Sequence, residues 1–259
     1  MGDLVLISPY MQTDLQRILK ANQILTDEHA HFFLYQTLCA LKYMQGAGLL
    51  HRDIKPSNLL ANSTCETKLT DFSYCRGVEE EMDDLNEYGL TRCYRAPEAL
   101  MMAGKLTFAV DIWSVGCCFG EVLARRQLFP GANSVKQVDL ILRLLGTPTE
   151  DDLDFVSNSQ VRKFLRSMDP RPGTSLADYL GGDLNPQAVD LLSRMLVFNP
   201  NRRITVNEAL RHPYLSDLHD SDEETECRDV LDFSFDNEDA DMREVKQLLR
   251  TEIELIRQG

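Results

Sequence analysis

Between residues 112 and 123 the only polar side chains are Ser114 and Glu121, so a helix formed here is apolar on nearly every side. Such a helix cannot lie on a surface. It predicts a mainly α domain wrapped around one buried central helix, and the rest of the chain supplies the wrapping. Ala30, Leu34, Leu38, Leu41 and Met44 recur at three and four, which predicts an amphipathic helix over 26–45, capped at Thr26 or Asp27 and ended by Gly46 and Gly48. Further helices are expected at 137–145, at 187–196, and at 206–210 with a capping box in Thr205 and Glu208. Met242, Val245, Leu249, Ile253 and Ile256 mark one more, whose apolar face needs a cover.

The extended segments are few. Residues 4–7 are an unbroken apolar run that reads as a strand buried on both faces, although the next hundred residues offer it no sheet. A short helix should then start at Thr13 or Asp14. After the 26–45 helix comes His51-Arg52-Asp53-Ile54-Lys55-Pro56-Ser57-Asn58. Strands at 59–60 and 68–70, joined by a turn at Asn62-Ser63-Thr64, would carry the chain from that loop to Asp71 and set the two side by side. Residues 77–87 are rich in acids, with few apolar anchors, and read as a mobile loop.

That juxtaposition carries chemistry. A carboxylate such as Asp53 can take or orient the proton of a hydroxyl within hydrogen-bond reach. Lys55, on the same side of an extended loop, can neutralise an anionic group. Asn58 and Asp71 offer the neutral and anionic oxygens that magnesium prefers. A lone His-Arg-Asp is more often a surface turn, but four such residues in this order and spacing are hard to read as one.

Charge excludes other classes. The net charge is −14, and residues 217–244, with thirteen acids and two bases, carry −11 of it. Neither a nucleic-acid nor an anionic-membrane partner is expected, because both need clustered Lys and Arg. No stretch approaches the roughly 18 uninterrupted apolar residues of a membrane span. Seven cysteines without a Cys-x-x-Cys pair suit a reduced intracellular protein better than a disulfide or zinc scaffold.

The loop motif, Asp71-Phe72-Ser73, Tyr94-Arg95-Ala96-Pro97-Glu98, Asp111-Ile112-Trp113-Ser114-Val115-Gly116 and Arg203 together resemble a protein kinase. Met11-Gln12-Thr13-Asp14-Leu15, Thr91-Arg92-Cys93-Tyr94, Leu128-Phe129-Pro130-Gly131, Leu144-Leu145-Gly146-Thr147-Pro148 and His212-Pro213-Tyr214-Leu215 narrow the resemblance. The chain is similar to the C-terminal lobe of a mitogen-activated protein kinase, of the extracellular-signal-regulated branch.

The resemblance implies a fold, cofactors and roles. The fold is a kinase C-terminal lobe over 1–215, α+β when complete, followed at 216–259 by an acidic docking segment and an amphipathic helix. ATP and Mg2+ are the implied cofactors. Asp53, Lys55, Asn58 and Thr91 fall at catalytic positions, with Thr91 bridging the base and the lysine. Ser8 falls at the gatekeeper, while Met11, Asp14, Lys55, Ser57 and Leu60 fall at nucleotide-binding positions, and Asn58 and Asp71 at the metal. Arg52, Arg92 and Arg95 match arginines that grip a phosphorylated activation-loop tyrosine, here Tyr88. Glu98 matches the partner of Arg203, and Asp111 the residue that holds the catalytic loop backbone.

Asp220, Asp222 and Glu223 resemble the acidic site that docks basic motifs of activators, phosphatases and substrates. Implied partners are an upstream mitogen-activated protein kinase kinase and proteins with Ser-Pro or Thr-Pro sites, in the cytoplasm and also the nucleus.

Three departures follow. No Gly-x-Gly-x-x-Gly occurs in the 259 residues, and seven residues before Ser8 leave no room for the N-terminal β-lobe, so the expectation is a truncated chain that transfers little phosphate alone. The dual phosphorylation motif has become Asn86-Glu87-Tyr88, leaving Tyr88 as the hydroxyl. The glycine after Asp71-Phe72 is Ser73, which restricts the backbone there and changes regulation rather than metal binding. A competing reading is a catalytically inactive docking module, which would bind a basic-hydrophobic peptide but no MgATP. A cyclin-dependent type is disfavoured by Glu87-Tyr88 and the acidic tail.

Overall fold

A computed structural model describes residues 5, 7–21, 23–78, 92–103, 105–222, 224–229, 231 and 242–258. The apolar stretch around residue 112 is the centre of a helix, Ala109–Ala124, in which every residue from 110 to 120 is buried. It is labelled α4, after the shorter helices Leu15–Lys20 (α1), Asp27–Gly46 (α2) and Pro97–Leu100 (α3). Gly120 sits where a methyl group would lie 2.4 Å from the Leu128 side chain, so the chain leaving α4 can fold back tightly over it. Glu121, towards the end of α4, accepts a 2.6 Å hydrogen bond from the buried Tyr94 hydroxyl, and burial pushes its carboxyl above the usual range.

Helix α2 buries Ala30, Phe33, Leu34, Leu38, Leu41 and Met44 on one face, as the periodicity predicts. Thr26 caps it together with His29, whose Nδ1 accepts from the Thr26 backbone at 3.2 Å. Gly48, at φ 76°, turns the chain into β2 (Leu49–Leu50) and the 51–58 loop.

Two small antiparallel sheets frame that loop. β1 (Thr13–Asp14), β3 (Leu59–Ala61) and β4 (Thr67–Leu69) form one in the order β1-β3-β4, and β2 pairs with β5 (Arg76–Gly77) in the other. Thr13 is therefore a strand residue rather than a helix cap. Asp14 is both, lying opposite Leu60 in the sheet and accepting from the Arg17 amide at 2.9 Å to start α1.

The strand expected at 4–7 is not found among the described residues. Residues 5 and 7–10 have no strand partner among the described residues, and Val5 and Ile7 are 74% and 90% exposed. Leu4 and Leu6 lie outside the described residues, as does nearly all of the predicted acidic loop.

The remaining helices are Ser134–Leu145 (α5), Ser159–Arg166 (α6), Leu176–Leu180 (α7), Pro186–Met195 (α8) and Val206–Leu210 (α9); α7 and α8 pack on α4, and α9 on α2. The Thr205–Glu208 capping box is present, with Glu208 accepting from both the amide and the hydroxyl of Thr205. The last helix, Met242–Gln258 (α10), leaves Val245, Leu248, Leu249, Ile253 and Leu255 exposed.

Candidate active site

The loop from His51 to Asn58 has its shape imposed from below by α4. Asp111, 1% exposed, accepts from the His51 and Arg52 amides at 2.8 and 2.9 Å. Burial raises its carboxyl above the usual range in spite of those donors. Arg52 adopts φ 66°, a conformation unfavourable for a side chain with a Cβ, and its Nε donates to the Tyr74 carbonyl at 2.7 Å. His51 is completely buried, with Nδ1 accepting from the Asp53 amide at 3.3 Å. That leaves the proton on Nε2, which donates to the Thr70 carbonyl at 3.1 Å.

The reactive side chains converge on Asp53. Lys55 Nζ lies 2.6 Å from Asp53 Oδ2, and Asn58 Nδ2 donates to the Asp53 carbonyl at 2.9 Å and to Oδ2 at 3.3 Å. Oδ2 is occupied by two donors, whereas Oδ1 accepts no hydrogen bond from the described residues. Asn58 uses its nitrogen on Asp53, so its oxygen faces the other way, as a hard cation would need.

Asp71 is tied to the same loop, because the Thr70 amide donates to the Asn58 carbonyl at 3.0 Å. Its backbone is left-handed at φ 66° and ψ 73°, and its carboxylate is exposed. The Ser73 hydroxyl donates to Asp71 Oδ1 at 2.7 Å and holds the carboxyl below its usual range, helped by the Lys55 ammonium. The predicted quartet of Asp53, Lys55, Asn58 and Asp71 is thus brought together, with the oxygen donors suited to a divalent cation.

The β1–β3 pairing sets Asp14 directly across from Leu60, so two of the predicted nucleotide positions are neighbours. The Asp14 carboxylate is engaged by Arg17, through the amide and an ion pair at 3.2 Å. Met11, two residues before β1, and Ser57, in the 3-10 turn Pro56–Asn58, are half-buried. Arg52 and Arg95 line one small cavity of about 20 Å3 with Asp53, Tyr94 and Ser114. Arg92 instead reaches the Ala132 carbonyl at 3.3 Å. Thr91 and Tyr88 lie outside the described residues.

Below α2 the acidic segment is built around a residue that sequence reasoning missed. Asp220 and Asp222 are exposed, and Glu223 lies outside the described residues. Glu224, 4% exposed, is turned inward to Lys42 at 3.5 Å and His219 at 2.5 Å. Its amide donates to the Asp220 carbonyl at 3.0 Å, and the Asp222 amide donates to Asp220 Oδ1 at 2.9 Å. In an acid run, nothing local marks which carboxylate will face inward; the half-buried Lys42 on α2 was the available signal.

The protein kinase domain family matches residues 2–215. The chain is 45% identical over 251 residues to mitogen-activated protein kinase 3 of Arabidopsis thaliana, covering 97% of this chain and 67% of that protein. It is 44% identical to mitogen-activated protein kinase 6 of the same plant, over 97% of this chain and 63% of the relative. Against mitogen-activated protein kinase 5 of Oryza sativa subsp. japonica the identity is 44%, over 97% and 68%. The chain thus spans about two thirds of the length of the curated relatives it matches.

Proposed function

The chain belongs to the mitogen-activated protein kinases, and from that premise we propose that it is the lower half of an ATP-dependent serine/threonine kinase site directed to Ser-Pro and Thr-Pro sequences. The observation that carries this reading is the arrangement around Asp53, with Oδ2 held by Lys55 and Asn58 and Oδ1 left open. In that arrangement Asp53 Oδ1 orients the substrate hydroxyl and accepts its proton. Lys55 stands where negative charge develops, and its ammonium balances that charge without rearrangement. Asn58 and Asp71 would hold Mg2+. MgATP, when bound, supplies the phosphoryl group.

No Gly-x-Gly-x-x-Gly occurs in these 259 residues. Transfer is therefore expected from this chain fused to the corresponding segment of a relative, and the 259 residues alone should be slower by about a hundredfold or more, the usual worth of a lost phosphate contact. The fusion should phosphorylate a Ser-Pro peptide at least tenfold faster than its Ser-Ala counterpart. Equal rates on the two peptides would rule out proline direction, and no ATP-dependent transfer by the fusion would favour the docking-module reading.

We also propose that Asp220 and Asp222, presented on the turn anchored by Glu224, dock basic segments of substrates, phosphatases and an activating kinase in the cytoplasm and nucleus. Replacing Asp220 and Asp222 together by alanine should weaken a fluorescent Lys/Arg-rich docking peptide several-fold at low salt. Unchanged affinity would leave these acids as solvated surface.

A further inference from the structure

We propose that Ser73 is a positioning residue that holds the Asp71 carboxylate in place for a divalent cation through its side-chain hydroxyl. The inference rests on the metal role proposed for Asp71 and concerns how that carboxylate is kept ready. The backbone at Asp71 is fixed from both sides. Before it, Thr70 is bonded through its amide to Asn58 and through its carbonyl to His51. After it, the 3-10 turn Phe72–Tyr74 is closed by the Cys75 amide on the Phe72 carbonyl at 3.0 Å and pinned by Arg52 on the Tyr74 carbonyl at 2.7 Å. The Phe72 ring also lies against His51, with centroids 5.4 Å apart.

None of those bonds reaches the carboxylate, which is exposed and free to turn about its own torsions unless something holds it. Ser73 holds it. Its hydroxyl is the donor, at 2.7 Å from Oδ1. Only serine or threonine at position 73 brings that hydroxyl. With Oδ1 anchored by a donor on the turn, Oδ2 is the oxygen left for a ligand.

Two effects on a metal oppose each other. The hydroxyl draws charge from the carboxylate, which weakens it as a ligand, and it removes rotational freedom, which strengthens it. Hydrogen bonds that orient a ligating carboxylate typically change metal affinity by about tenfold or more, so orientation dominates.

The test is a Mn2+ titration of the full 259-residue protein, with free Mn2+ read by electron paramagnetic resonance and no nucleotide present. Circular dichroism of each variant confirms that it is folded. Ser73→Ala and Ser73→Gly should each weaken Mn2+ binding by about tenfold, the low end of that range, as expected for an exposed site. Ser73→Thr should stay within about twofold of the native protein, because it keeps the donor. Native affinity in Ser73→Ala overturns the proposal, as does weakening by Ser73→Gly alone, which would assign the effect to backbone freedom. Failure of the metal reading looks different: native Mn2+ binding is then absent, or survives Asp71→Asn, and the proposal falls with it.

Discussion

Replacing Arg203 by methionine is expected to lower the unfolding free energy by about 3–5 kcal/mol, the range for a buried ion pair that loses one partner. Arg203 and Glu98 are 0% and 3% exposed in their side chains, and the contact is bidentate, with Nη1 to Oε1 at 2.7 Å and Nη2 to Oε2 at 3.0 Å. The same guanidinium donates to the carbonyls of Ala109 at 2.6 Å and Val197 at 3.0 Å, and stacks over Trp113 at 5.1 Å. One side chain therefore joins α3, the start of α4 and the segment after α8. Methionine fills the volume but strands the Glu98 carboxylate away from water.

A second replacement, Glu98→Leu, isolates that cost. The double variant should be more stable than the sum of the two single losses predicts, because it carries no unpaired charge. Recovery should be incomplete, since the carbonyls of Ala109 and Val197 still lack their donor. Urea unfolding at neutral pH measures all four proteins. Strict additivity would mean that the ion pair is not the unit that stabilises this corner.

How much of this could be read beforehand depends on the length and the redundancy of each signal. Helix α4 was legible because an all-round apolar stretch has one physical solution, burial, and α2 because five apolar positions agree on one face. The two-residue strands β1, β2 and β5 carry no period at all. They exist because the 51–58 loop and Asp71 must be bridged, a tertiary cause invisible in local sequence. Val5 and Ile7 show the converse error, since an apolar run specifies a strand only where a neighbour offers a ladder, and among the described residues neither has one.

The site divides along the same line. Asp53, Lys55 and Asn58 lie within six residues, so their spacing alone brought them together, and a single turn returned Asp71 to them. Glu224 was missed because its meaning comes from Lys42, far away on α2. In sequence Ser73 marks only a backbone restriction, whereas its side chain also bonds the carboxylate two residues earlier. Residue type predicted the φ argument; only geometry disclosed the donor.

Asp53→Asn should reduce the turnover of the active fusion by about a hundredfold to ten-thousandfold, the span of general-base effects, while leaving the KM for ATP within about twofold. The size follows from which oxygen is held. Oδ2 faces two donors, the Lys55 ammonium at 2.6 Å and the Asn58 amide at 3.3 Å. An asparagine placed here must turn its amide oxygen toward them, since the opposite orientation sets donor against donor. Its NH2 then occupies the place of Oδ1 and meets the substrate hydroxyl with protons instead of a lone pair. The variant therefore inverts the polarity of the group that takes the proton, with almost no change in shape. Lys55→Met should cost less in proton acceptance and more in phosphate binding, raising the KM for ATP. If Asp53→Asn instead raised that KM and left turnover intact, Asp53 would be a binding residue, and the proton would have to leave by another route.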